Sequence, residues 1–92
     1  TWVALNPRNG DPELQRIVEY IRPSAMLLDE AIAARIDCHG VTTYMLDGPA
    51  NDTVFRRARD CEAPFARTYL PLDATTAIKF TGGTSGIPKG VM

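Results

Sequence analysis

The chain has 92 residues, 45% of them apolar and 23% charged, with ten basic side chains against eleven acidic ones and a formal charge of −1. A chain of this length buries only roughly 60–65% of the surface its unfolded form exposes, so it supports one modest core and is too short for a multi-domain enzyme. The balanced charge leaves no electrostatic footprint for nucleic acid, no apolar run of about 18 residues predicts a membrane span, and the apolar content argues against disorder.

Trp2–Leu5 is a short apolar run, read as a strand and stopped by the turn formers Asn6-Pro7-Arg8-Asn9-Gly10. Asp11 is then predicted to cap a helix in which Pro12 takes an early position that needs no N–H. Leu14, Ile17, Val18 and Ile21 fall on one face of that helix, Gln15, Arg16 and Glu19 fall on the solvent side, and Pro23 ends it. Ala25–Leu28 is a second strand. Asp29 or Glu30 opens a weaker helical stretch through Ile32, Ala33 and Ile36 that is expected to end near Gly40.

Val41–Leu46 reads as a third strand, broken by Asp47-Gly48-Pro49. Asn51 or Asp52 is expected to cap a third helix with Val54, Phe55, Ala58 and Cys61 along one side. Arg56, Arg57 and Arg59 form its other, solvated face. Glu62–Thr75 carries Pro64 and Pro71 and reads as an irregular connection, after which Thr76–Phe80 is a fourth strand.

Strands alternating with helices at this spacing predict an α/β fold with a mostly parallel βαβ sheet. The first two strands are nearly continuous in apolar residues, as strands covered on both faces are. Three short helices are too few to cover both faces of such a sheet. The chain therefore reads as an incomplete part of a larger multilayer domain, with Thr1-Trp2 starting inside a strand and Gly90-Val91-Met92 stopping where another strand or turn begins.

Cys38 and Cys61 make neither a CxxC pair nor a disulfide framework, and with His39 as the single histidine no zinc set of Cys and His residues can be assembled. Both are read as reduced thiols, which together with the absence of a visible secretory signal suits a cytoplasmic chain. Cys38 and His39 are adjacent, so their side chains diverge on a regular element and make no catalytic dyad. His39 is read as a loop or helix-end residue. Asp29, Asp37 and Asp47 flank strands, a position where ligand-binding acids occur, and are read as caps or turn residues. No catalytic acid or base is nominated.

The segment Thr81-Gly82-Gly83-Thr84-Ser85-Gly86-Ile87-Pro88-Lys89-Gly90 places four glycines, three hydroxyl side chains and a lysine in ten residues directly after a strand. Glycines allow successive backbone N–H groups to converge on one concavity, hydroxyls add short donors, and lysine adds a point charge, which together make an anion cradle. A Walker A loop is excluded because Lys89 follows Pro88 and precedes Gly90. The dinucleotide fingerprint fails because Thr81 stands where its first glycine belongs.

This segment resembles the phosphate-binding signature of the adenylate-forming (AMP-binding) superfamily, which includes acyl-CoA synthetases, luciferases and peptide-synthetase adenylation domains, with the usual pattern Thr-Ser-Gly-Thr-Thr-Gly-x-Pro-Lys-Gly. Thr81, Gly83, Thr84, Ser85, Gly86, Pro88, Lys89 and Gly90 match, with Ser85 standing for Thr, and Gly82 departs from the usual Ser. The Thr-Gly-Gly-Thr form is similar to the fatty acyl-CoA synthetase branch. Val3-Ala4-Leu5-Asn6-Pro7, Glu13-Leu14 opening a helix, and the strand ending at Asp29 resemble the region leading to the loop.

The resemblance implies that residues 1–92 are a fragment of an adenylation domain with its phosphate-binding loop at 81–90. It implies an acyl-CoA synthetase, with the Thr-Gly-Gly-Thr form pointing to the fatty-acid type, that activates a carboxylate with Mg²⁺ and ATP as the acyl-adenylate and transfers it to coenzyme A. Thr81, Gly82, Gly83, Thr84, Ser85, Gly86 and Lys89 would hold the β- and γ-phosphates. The remainder of the same polypeptide would supply the other sites, and the 92 residues alone would be inactive. The alternative from the residues themselves is a stand-alone, non-catalytic module that holds a phosphate or nucleotide.

Overall fold

The apolar stripe at Leu14, Ile17 and Val18 builds helix α1 (Asp11–Ile21), and those three side chains are the ones that it buries. The computed structural model describes residues 1–48, 53–81 and 89–92. Around α1 the chain forms β1 (Trp2–Ala4), β2 (Ala25–Leu28), α2 (Glu30–Ala33), β3 (Thr42–Met45), α3 (Val54–Arg59), β4 (Ala77–Thr81) and β5 (Lys89–Val91).

Helix α1 is capped by Gly10 rather than by Asp11. Gly10 is extended and offers no side-chain acceptor, while Asp11 lies inside the first turn, where a carboxylate faces the positive end of the helix. The reason is Arg35. Its Nε donates to Asp11 Oδ1 at 2.7 Å, and its two terminal nitrogens donate to the Pro7 and Asn9 carbonyls at 2.8 and 2.6 Å. One guanidinium fork thus fastens the turn after β1. At the other end Arg22 turns into the left-handed region (φ 46°), its N–H bonds to the Val18 carbonyl, and Pro23 forbids a further turn.

Helix α2 is a single turn. Asp29 caps it, its carboxylate accepting from Ile32 N–H at 2.7 Å, but the helix stops at Ala33 instead of running through Ile36. Tertiary bonds capture the residues beyond: Arg35 is held by the 7–11 turn, and Asp37 N–H donates to Gln15 Oε1 at 2.8 Å. Gly40 (φ 75°) turns the chain into β3 and is not a helix end.

Helix α3 is capped by Thr53, whose hydroxyl accepts from Arg56 N–H at 3.4 Å; the candidates Asn51 and Asp52 lie outside the described residues. The helix buries nothing. Phe55, expected on a packed side, is 68% exposed, and Cys61 is exposed. Arg57 does not simply face solvent, for its guanidinium lies 6.0 Å from the Tyr44 ring centroid, within cation–π range.

The strands divide into two sheets among the described residues. β2 and β3 pair in parallel, Ala25 opposite Thr42 through Leu28 opposite Met45. β1 and β4 pair in parallel, Trp2 opposite Ala77, and β5 adds antiparallel to β4. The core is Leu14, Val18, Met26, Leu28 and Ile36, with Leu5, Ile32, Ala33, Cys38 and Val41 packed against it. It sits between α1 and one face of the β2–β3 pair, since β2 alternates exposed and buried positions. The radius of gyration, 15.2 Å, exceeds the roughly 12 Å of a closed domain of this length, so this core does not gather the whole chain.

Candidate functional site

The site begins with the alternation of β4. Successive side chains of a strand leave opposite faces, so Ile78 and Phe80 share one face and Lys79 and Thr81 the other. Ile78 and Phe80 turn toward α1, where the Phe80 and Tyr20 rings meet edge to face with centroids 6.5 Å apart. Gly90 lies across from Phe80, and a Cβ there would stand 3.2 Å from Ile78 Cγ2 and 3.4 Å from Phe80 Cε1. A glycine is what lets these two side chains fold over β5.

The opposite face carries the polar groups. Thr81 is directly opposed to Lys89, so their side chains leave the same side of the hairpin, and the Thr81 hydroxyl donates to the Lys89 carbonyl at 3.4 Å. Opposed residues of an antiparallel pair have Cα atoms about 4.5–5.5 Å apart. The signature therefore leaves the sheet and returns to it at neighbouring points. Both end residues are exposed. Gly82, Gly83, Thr84, Ser85 and Gly86, the centre of the predicted cradle, lie outside the described residues.

Lys79 was missed by the sequence reading. It lies two residues before Thr81, on the same face, and is exposed. The period-two rule applied to Thr76–Phe80 was the signal that could have found it. Lys79 and Lys89 are the two lysines of the chain, and both project from this face.

Elsewhere Asp29, Asp37, Asp47 and His39 have structural partners. Asp29 caps α2, Asp47 accepts from Glu30 N–H at 2.7 Å, and Asp37 accepts from His39 N–H at 2.8 Å. His39 sits at φ 46° with its ring 2.8 Å from Gln15 Nε2, 3.3 Å from Asp37 Oδ2 and 3.7 Å from Glu19 Oε1. Cys38 packs against the core instead, so the two neighbours do not form a reacting pair. No cluster of three or more His, Cys, Asp or Glu residues that could hold a metal occurs among the described residues. Nor is any described helix long and apolar enough to cross a membrane.

No family model and no solved structure matches the chain. Curated relatives do. N-(5-amino-5-carboxypentanoyl)-L-cysteinyl-D-valine synthase of Penicillium rubens is 33% identical over 91 residues, covering 99% of this chain and 2% of that protein. Phosphinothricin tripeptide synthetase PhsC of Streptomyces viridochromogenes is 32% identical over 90 residues, 96% of this chain and 8% of its own length. Equisetin synthetase eqxS of Fusarium heterosporum is 33% identical over 94 residues, 99% of this chain and 2% of its own. The chain thus spans between 2% and 8% of the length of these three relatives. Its homologues are nonribosomal peptide synthetases, adenylate-forming enzymes of which it matches one short segment.

Proposed function

We propose that this chain is a segment of the adenylation domain of a carboxylate-activating, AMP-forming synthetase, and that residues 81–90 hold the β- and γ-phosphates of ATP. The observation that carries the reading is the pairing of Thr81 with Lys89, the first and ninth residues of the signature, which closes it at a sheet end with a hydroxyl and an ammonium on one face. The relatives support it independently, because they are synthetases matched along nearly the whole of this chain.

In the proposed reaction the substrate carboxylate attacks the α-phosphorus, the bond to the bridging oxygen breaks, and pyrophosphate leaves with the acyl-adenylate as the other product. The chain's own groups bind and orient. Lys89 Nζ fits a polyphosphate as a compact charge opposing the negative charge that builds on pyrophosphate, and Thr81 Oγ fits it as a short donor that exchanges its 3.4 Å bond to the Lys89 carbonyl for one to phosphate. Lys79, on the same face, adds to the positive potential through which the nucleotide approaches. For the magnesium ion that the resemblance implies, the described residues hold no cluster of three or more His, Cys, Asp or Glu side chains.

The substrate and acceptor move away from the fatty acyl-CoA expectation. Two of the relatives are named for peptide products, which favours an amino acid carboxylate over a fatty acid, and no relative reported above supports coenzyme A as acceptor. The test is amino-acid-dependent ATP–pyrophosphate exchange by the synthetase polypeptide that carries these residues. Lys89→Ala is expected to depress exchange while the protein stays folded. Unchanged exchange would overturn the assignment. Phosphate binding that persists in a polypeptide with no exchange activity under any amino acid would favour the non-catalytic module instead.

A further inference from the structure

Helix α1 crosses beneath a gap between the two sheets. Its residues Leu14, Tyr20 and Ile21 line a groove of about 970 Å³ that is bordered by β1 and by the whole of β2. These two strands do not pair with each other: among the described residues β1 pairs with β4, and β2 pairs with β3.

The register identifies the backbone groups that face this groove. Trp2 N–H donates to the Thr76 carbonyl at 2.8 Å with Trp2 opposite Ala77. In a parallel ladder Trp2 and Ala4 then direct their N–H and C=O groups to β4, and Val3 directs its own the other way. Leu46 N–H donates to the Leu28 carbonyl at 2.8 Å with Leu28 opposite Met45. Met26 and Leu28 therefore bond to β3, and Ala25 and Leu27 turn outward. Two open strand edges border one apolar groove.

The volume lies near the top of the range for small-molecule pockets, about 300–1,000 Å³, but such pockets carry convergent polar groups. Here the polar lining side chains are Thr1, Ser24 and Asp29, with the Tyr20 hydroxyl and the Trp2 indole N–H at the tips of two largely apolar rings. The Thr1 hydroxyl donates to the Thr75 carbonyl, and the Asp29 carboxylate accepts from Ile32 N–H. What the groove offers is a ladder of backbone donors and acceptors on either side and apolar side chains beneath, which are the requirements of an extended peptide.

Resting on the placement of this chain in a larger synthetase, we infer that the groove takes one β-strand, an apolar extended segment of the same polypeptide outside these 92 residues, which pairs with β1 and β2 at once. The two sheets then become one, in the order β3, β2, inserted strand, β1, β4, β5. The source follows from two observations. Every strand among the described residues already has a partner, and the relatives continue for most of their length beyond the matched segment. The apolar side chains Val3 and Leu27 suit strands paired and covered on both sides, and Leu27, 45% exposed here, would be buried by the completed sheet.

Hydrogen exchange of the intact synthetase polypeptide, resolved to single amides by fragmentation mass spectrometry, tests this. Val3 and Leu27 amides are expected to be protected as strongly as those of Ala4 and Met26, at least about a hundredfold over open amides. In the same polypeptide Val3→Pro and Leu27→Pro, which remove an outward N–H but no bond to β4 or β3, are expected to lower the melting temperature and raise exchange on both sides of the groove. A free edge tolerates proline. Open exchange at Val3 and Leu27 alongside protected Ala4 and Met26 would overturn the inference, as would protection that disappears on dilution, which assigns the groove to a second copy. Pyrophosphate exchange is read in parallel. Its loss with edges still protected counts against the proposed function and not against the strand.

Discussion

The residues up to Gly48 and those from Thr53 onward are held by different forces. Every buried apolar side chain among the described residues lies between Leu14 and Ile36, whereas the second region buries none and leaves Phe65, Tyr69 and Leu72 almost wholly exposed. The first region has a core. The second is attached by β4 lying on β1, by the edge contact of Phe80 with Tyr20 and by the Arg57 guanidinium over the Tyr44 ring. The candidate site belongs to the second, so its geometry depends on a scaffold that the first region supplies at one strand.

The difference can be attacked most directly at Leu14, which is fully buried. Leu14→Ala is expected to cost about 2–5 kcal/mol, read as a shift of the denaturation midpoint. A cost under about 1 kcal/mol would mean that the core is not where the stability lies. Next comes Lys89→Ala, which should leave the midpoint unchanged while ATP–pyrophosphate exchange falls by about 10- to 150-fold, the equivalent of one charge-assisted hydrogen bond of about 1.5–3 kcal/mol. Lys79→Ala is expected to act in the same direction by no more than about fivefold, as an exposed charge does. Arg35→Lys retains the charge but loses the three-way fork, and is expected to cost about 1 kcal/mol in the midpoint. Leu72→Ala closes the series: at a fully exposed position it should change stability by less than about 0.5 kcal/mol.

What the sequence made legible follows the same boundary. Ala25–Leu28 and the Leu14, Ile17, Val18 stripe were readable because their signals are local, a short apolar run between turn formers and a 3.6-residue period ended by Pro23. Helix α2 was read as too long because Gln15 and the Arg35 partners, distant in sequence, take the residues after Ala33. The packed side expected for α3 depended on a surface to pack against, and none of its residues is buried. In the candidate site Thr81 and Lys89 were readable from the signature, but their opposition needed the register of β5, and Lys79 needed the strand face. The division into two sheets was not legible because strand neighbours are chosen by distant parts of the chain.

The pairing of β1 with β4 carries a consequence in time. Trp2 and its partner Ala77 are separated by 75 positions (77 − 2), so β1 is made long before β4 exists. At a synthesis rate of 5–20 residues per second that interval is about 4–15 s. Helix α1 and the β2–β3 pair have all their residues within it. During translation the residues of the core are therefore all in place before β4 exists to pair with β1, and the β4–β5 hairpin is the last of these elements to be made.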